Sequence, residues 1–89
     1  MCKVYSIRGN DGSIYTGWTT DVEHRLQMHN EGKGAKYTRG RGPFVLLCIW
    51  NCKNKSEALK LEARIKKMTR SQKLAYIEET KKNSVSPQE

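Results

Sequence analysis

The chain has 89 residues, 36% of them hydrophobic, and a formal net charge of +8 at pH 7. That length makes one domain with a small core and leaves no room for a second. No apolar run is long enough to span a membrane, and Met1-Cys2-Lys3-Val4 lacks the apolar stretch of a signal peptide, so a cytoplasmic protein with no membrane partner is expected.

The three cysteines are an odd count, which argues against a disulfide framework. Cys48 and Cys52 have no histidine nearby to complete a zinc site, so free thiols in a reducing compartment are expected. The charge is uneven. Residues 1–32 hold three basic residues and four acids, whereas residues 33–73 hold twelve basic residues and two acids, Glu57 and Glu62. A block that basic points to a polyanion, nucleic acid before membrane. The plainer alternative is a solvated surface that keeps the protein soluble.

Lys3 to Arg8 alternates and is rich in β-formers, which predicts a strand. Asn10-Asp11-Gly12 signals a tight turn, and Ile14 to Trp18 is the returning strand. With a three-residue loop, Ile7 lies opposite Tyr15, and Tyr5 and Tyr15 become diagonal neighbours on one face. With a two-residue loop the two tyrosines point to opposite faces. Both registers stay open at this point.

Thr20-Asp21-Val22-Glu23 reads as a capping box with a hydroxyl cap. It predicts a helix from Asp21 to about Glu31, stopping at Gly32. The apolar stripe of that helix is thin, Val22 and Leu26. Arg25 and His29 flank Val22 on the same side, one turn apart. They make either a functional pair or a structural one, an arginine stapling the helix to the sheet and a histidine at the core edge.

Gly32 to Gly42 contains four glycines and four basic residues. Such a loop can follow a phosphate backbone closely, so Lys33, Lys36, Tyr37, Arg39 and Arg41 are candidate nucleic-acid contacts. Phe44 to Trp50 is apolar at every position, which predicts a strand covered on both faces. Asn54 with Glu57, or Ser56 alone, can cap the next helix. Ala58, Leu61, Ile65 and Met68 form its buried stripe. Glu62 sits at the edge of that stripe among Lys60, Arg64, Lys66 and Lys67, where it either pairs with a neighbouring arginine or holds a metal ion. Thr69-Arg70-Ser71-Gln72 is another capping box, and it opens a last helix packed through Leu74 and Ile77. The expected architecture is α+β, a small three-stranded antiparallel sheet flanked by helices in the order β-β-α-β-α-α. The domain is expected over residues 1–80, with a flexible tail over 81–89.

From about Val4 to Ile77 the chain resembles the GIY-YIG nuclease superfamily, most closely its short stand-alone bacterial members. Lys3-Val4-Tyr5 falls on the first family motif and Tyr15-Thr16-Gly17 on the second. Asp21 to His29 is similar to the family helix, with Arg25 at its arginine and His29 at its histidine. Gly34-Ala35-Lys36-Tyr37-Thr38-Arg39 is similar to a segment of the stand-alone group. Ser56-Glu57-Ala58 and Glu62 fall on the helix that supplies the family's glutamate. The late asparagine of many members has no counterpart between Gln72 and Glu79.

The resemblance implies hydrolysis of a phosphodiester bond by water with one divalent metal, Mg2+ or Mn2+, on DNA. Tyr5 would help deprotonate the water, with His29 taking the proton or hydrogen-bonding the tyrosine. Arg25 would stabilise charge on the phosphoryl oxygens, Glu62 would anchor the metal, and Tyr15 would position the scissile phosphate. Gly17 would allow close backbone approach, and Lys66 and Lys67 would add to the nucleic-acid surface. The larger members carry a separate DNA-recognition domain. Without one, a monomer acting on branched, flap or single-stranded DNA is expected, with any specificity drawn from DNA structure or a protein partner. The alternative is a non-catalytic nucleic-acid-binding module on the same fold. Tyr5, Arg25, His29 and Glu62 argue against it, since binding alone needs none of that geometry.

Overall fold

A computed structural model describes residues 2–34 and 40–85, the last three as backbone only. The elements are β1 (Cys2–Arg8), β2 (Ile14–Thr19), α1 (Val22–Asn30), β3 (Val45–Cys52), α2 (Lys55–Lys66) and α3 (Arg70–Val85). The sheet is antiparallel throughout, in the order β2-β1-β3. No helix among the described residues is long and apolar enough to cross a membrane.

The hairpin turn settles the register. Gly9 N–H donates to the Ser13 carbonyl at 2.8 Å and closes a three-residue loop. Ile7 then pairs with Tyr15 and Tyr5 with Gly17, so the two tyrosines share a face. Strand alternation divides the core in two. On one face Val4, Cys48, Trp50 and Cys52 pack against Ala58 and Ile65 of α2 and Ile77 of α3. The polar atoms buried there are satisfied: Ser6 and Thr16 share a hydrogen bond of 2.8 Å, and Trp50 Nε1 donates to Thr80 Oγ1 at 2.9 Å. On the other face Tyr5, Ile7, Val22 and Phe44 pack together with Tyr15 and Leu26.

Three expectations need correction. First, β3 is not covered on both faces. It is an edge strand, and Val45, Leu46 and Ile49 are 51%, 39% and 37% exposed. The apolar run combines one buried row, Cys48, Trp50 and Cys52, with exposed residues on both faces, Leu46 and Ile49 opposite Ile7 and Tyr5, and Val45 opposite Arg8 beyond a register shift. Second, the cap of α1 is Asp21 rather than Thr20. Its Oδ1 accepts from His24 N–H at 3.1 Å, while Thr19 Oγ1 accepts the Asp21 N–H at 3.1 Å. A carboxylate at the helix start meets both the free N–H groups and the positive end of the dipole. Third, Leu74 is 39% exposed, and α3 packs instead through Ile77 and through Tyr76, which stacks on Trp50 with centroids 5.5 Å apart.

The other helix signals read as expected. Asn54 caps α2 by accepting from Glu57 N–H at 2.9 Å. Thr69 and Gln72 exchange reciprocal bonds of 2.9 and 3.2 Å at the start of α3. Gly32, where α1 was expected to stop, has φ of +78°.

Ile65 has no solvent exposure and sits between α2 and the sheet. Ile65→Ala is expected to cost about 2–5 kcal/mol in urea unfolding. Leu74→Ala should stay within about 0.5 kcal/mol, because the leucine is already at the surface. Equal losses for the two would contradict the packing described.

Candidate functional site

Tyr5 lies at the centre of the middle strand, 1% exposed, and projects toward α1. Its hydroxyl meets His29 Nε2 at 2.8 Å, a buried contact across 24 residues of chain. His29 is itself 1% exposed, although it sits in the last turn of α1. The Tyr15 ring closes the group, with its centroid 5.2 Å from that of His29 and 6.4 Å from that of Tyr5. Phe44 meets the histidine ring edge-on at 6.0 Å. The Phe44 backbone is fixed to the end of α1 by an Asn30 Oδ1 acceptor at 2.6 Å.

Two glycines make this packing possible. A Cβ at Gly17 would stand 2.8 Å from the Tyr5 hydroxyl. The glycine of the second motif therefore leaves room for the tyrosine of the first. A Cβ at Gly34 would stand 2.1 Å from His29 Nδ1. The start of the basic loop thus lies directly on the histidine ring, and a side chain there would force the two apart.

The charged members come from α1 and α2. Arg25, one turn before His29, interacts with the Tyr5 hydroxyl, and its Nε is buried with no hydrogen-bond partner. Glu62 reaches the group from α2. Its Oε2 is 3.2 Å from Lys66 Nζ, and the same ammonium stands over the Tyr15 ring at 5.7 Å. Of the two readings of Glu62 as a partner or a ligand, the ion pair that forms is with Lys66, not with an arginine.

The electrostatics follow from burial. Desolvation raises the Tyr5 pKa above 10.0, with Tyr15 and Glu62 adding to the rise and Arg25 opposing it. Desolvation, and then the Arg25 charge, hold His29 below 6.5. At neutral pH both rings are uncharged, so the contact is a neutral hydrogen bond whose donor is set by the histidine tautomer, the Tyr5 hydroxyl donating when Nε2 is unprotonated. A polarised tyrosine–histidine pair beside a guanidinium and a carboxylate can move a proton and stabilise an anion.

The expected nucleic-acid contacts are more dispersed. Lys33 is exposed and 3.8 Å from Glu31. Arg41 forms a 2.8 Å ion pair with Asp11 in the hairpin turn. Lys67 is exposed at the end of α2. Lys36, Tyr37 and Arg39 lie outside the described residues. Sequence reasoning missed Phe44 and Asn30 as supports of the histidine. Phe44 was hidden in an apolar run, and nothing in the sequence marks Asn30 as an anchor.

A three-stranded antiparallel sheet with three helices in the order β-β-α-β-α-α is a nuclease-type fold. The chain belongs to the GIY-YIG family: the family model described as the GIY-YIG catalytic domain matches residues 1–83. It is 59% identical over 75 residues to a UPF0213 protein of Oceanobacillus iheyensis, covering 84% of this chain and 87% of that protein. The solution NMR structure of a UPF0213 protein from Bacillus halodurans is similar at 47% identity and a TM-score of 0.58, over 88% of this chain and 84% of that one. A solution NMR structure from E. faecalis is similar at 42% identity and a TM-score of 0.62, over 88% of this chain and 83% of that one.

Because the folded pKa of His29 lies below 6.5, the ring contributes stability above that pH that is lost on acidification. An NMR titration should place the His29 midpoint below 6.5, and Arg25→Gln should move it upward by removing a like charge. An unchanged midpoint would show that the guanidinium charge does not reach the ring.

Proposed function

We propose that this chain is a divalent-metal-dependent endonuclease that hydrolyses phosphodiester bonds in DNA. It selects branched, flap or single-stranded forms by structure rather than by base sequence, and it serves repair or recombination. The observation that carries the proposal is the buried 2.8 Å contact between Tyr5 and His29, set beside the unpartnered Nε of Arg25. A binding module gains nothing from burying such a pair, and an unsatisfied buried donor costs about 1–3 kcal/mol.

The donor set suits a hard cation held largely by its substrate. Glu62 is the carboxylate of the cluster, and the described residues contain no group of three His, Cys, Asp or Glu side chains that could cage an ion. Mg2+ commonly binds through one or two carboxylates together with water and substrate phosphates, and Mn2+ accepts the same oxygen donors. A divalent ion at Glu62 supplies Lewis-acid polarisation of a phosphoryl oxygen and added positive charge beside Tyr5. The rest is the work of the chain. The Tyr5 oxygen takes a proton from the attacking water as its own passes to His29 Nε2, so neither ring needs to be charged beforehand. Arg25 presents its free donor to the phosphoryl oxygen on which charge grows. Tyr15 orients the phosphate through its hydroxyl. Glu62 would hold the ion, and Lys66, beside Glu62 and over the Tyr15 ring, would add positive charge for the phosphate.

Glu62→Gln tests this with little risk to the fold, since an i,i+4 pair with a half-exposed lysine contributes about 0.3–0.5 kcal/mol. Melting temperature and metal-free DNA affinity should stay near wild type, while cleavage with Mg2+ and with Mn2+ is lost. Wild-type-like cleavage in this variant would falsify the metal role. Tyr5→Phe keeps the ring and removes the relay, and cleavage should fall by about 100-fold or more.

A further inference from the structure

We infer that Arg8, Arg70 and Lys73 form a second phosphate-binding station, at the hairpin end of the sheet, that holds the nucleic-acid backbone away from the scissile bond. The inference rests on the nuclease reading for the identity of its ligand. Its observations are separate from that site.

A cleft of about 350 Å³ lies between the hairpin turn and the start of α3, lined by Arg8, Gly9, Asn10, Pro43 and Arg70 among others. A smaller one of about 170 Å³ adjoins it, lined by Ser13, Ile14, Arg70 and Lys73. Arg70 belongs to both and is held in place by donating Nη1 to the Gly12 carbonyl. No ion pair engages Arg8, Arg70 or Lys73 among the described residues. The acid of the turn, Asp11, is already committed. It accepts from Ser13 Oγ at 2.7 Å and from Arg41 Nη1 at 2.8 Å. Those contacts, the serine bonds foremost, lower its pKa to about 2. Arg70 shares one recess with Arg8 and the adjoining one with Lys73, and an anion placed in either relieves the repulsion of like charges.

The station lies at the hairpin end of the sheet, on the face opposite the Tyr5 cluster. Lys66 stands over the Tyr15 ring. The next residues back along β2, Ile14 and Ser13, line the small cleft with Arg70 and Lys73. Arg8 is the register partner of Ile14 across the sheet. Tyr15 and Ile14 are successive residues of the edge strand β2, so a backbone that meets both the site and the station passes around that edge. Arg8 is three residues beyond Tyr5 in β1, about 10 Å at strand rise, and its side chain points to the opposite face. Two adjoining recesses that share Arg70 suit successive phosphates of one backbone rather than a single small anion.

The test is the salt dependence of DNA affinity, measured on a linear duplex without metal. Arg8→Gln/Lys73→Gln leaves the Arg70 contact to the turn intact. Its log–log salt slope should be shallower than wild type by about 1.8, at about 0.9 per lost phosphate contact. Arg8→Lys/Lys73→Arg keeps the charges and should keep the slope. A neutral variant with the wild-type slope overturns the inference, and so does a charge-keeping variant that loses as much as the neutral one. Cleavage that survives Glu62→Gln would sink the catalytic reading and leave this result standing. An unchanged slope would sink the station and leave the catalytic reading standing.

Discussion

The register of β1 against β2 is the constraint on which the site depends. Side chains alternate along a strand, so a slip of one residue would carry Tyr15 to the face where Ser6 and Thr16 are buried. Tyr5 and His29 would then lose the ring that closes their group. The register is held by the Gly9–Ser13 contact and by Asp11, which bonds Ser13 within the turn and Arg41 from the loop beyond α1. A polar turn far from the chemistry thus decides the composition of the candidate site. It also brings the loop and the hairpin together, because Asn10 N–H donates to the Arg41 carbonyl at 2.9 Å.

Burial and charge pull the cluster in opposite directions. Desolvation keeps Tyr5 and His29 neutral, while Arg25 and Glu62 bring charge to the edge of the same apolar face. The buried Arg25 Nε pays no hydrogen bond back to the fold, and a phosphoryl oxygen at that point would recover it. In so small a domain, whose total stability is modest, such a cost is a sizeable fraction of the whole. The opposite face offsets it with a largely apolar interior around Ile65 and buried hydroxyls that satisfy one another.

Much of the fold was legible because its signals are local. A turn rich in Asn, Asp and Gly, an Asn cap and a reciprocal Thr–Gln box each specify structure within a few residues. The misreadings came where local signals compete or where tertiary context decides. Thr20 and Asp21 both suit a cap, and the carboxylate takes the position because Thr19 is already bonded to its backbone. An apolar run cannot say whether a strand is central or at an edge, since that depends on which strand pairs with which. Within the site, Arg25 and His29 were visible as neighbours on the apolar side of their helix, and the shared face of the tyrosines awaited the register. Phe44 and Asn30 were not visible, because their roles exist only once the chain has returned to α1.

The exposed apolar side chains of β3 govern how the protein behaves in concentrated solution. Edge strands carry unpaired backbone groups, and this one also presents Val45, Leu46 and Ile49 to solvent. Many proteins guard such an edge with charges on the strand itself, yet VLLCIWNC has none. The protection is global instead, the mutual repulsion of molecules that each carry a formal charge of +8. Repulsion of that kind reaches only about 8 Å at physiological ionic strength and about 3 Å in molar salt. Colloidal stability is therefore tied to ionic strength, and a polyanion that neutralises the surface removes the same safeguard.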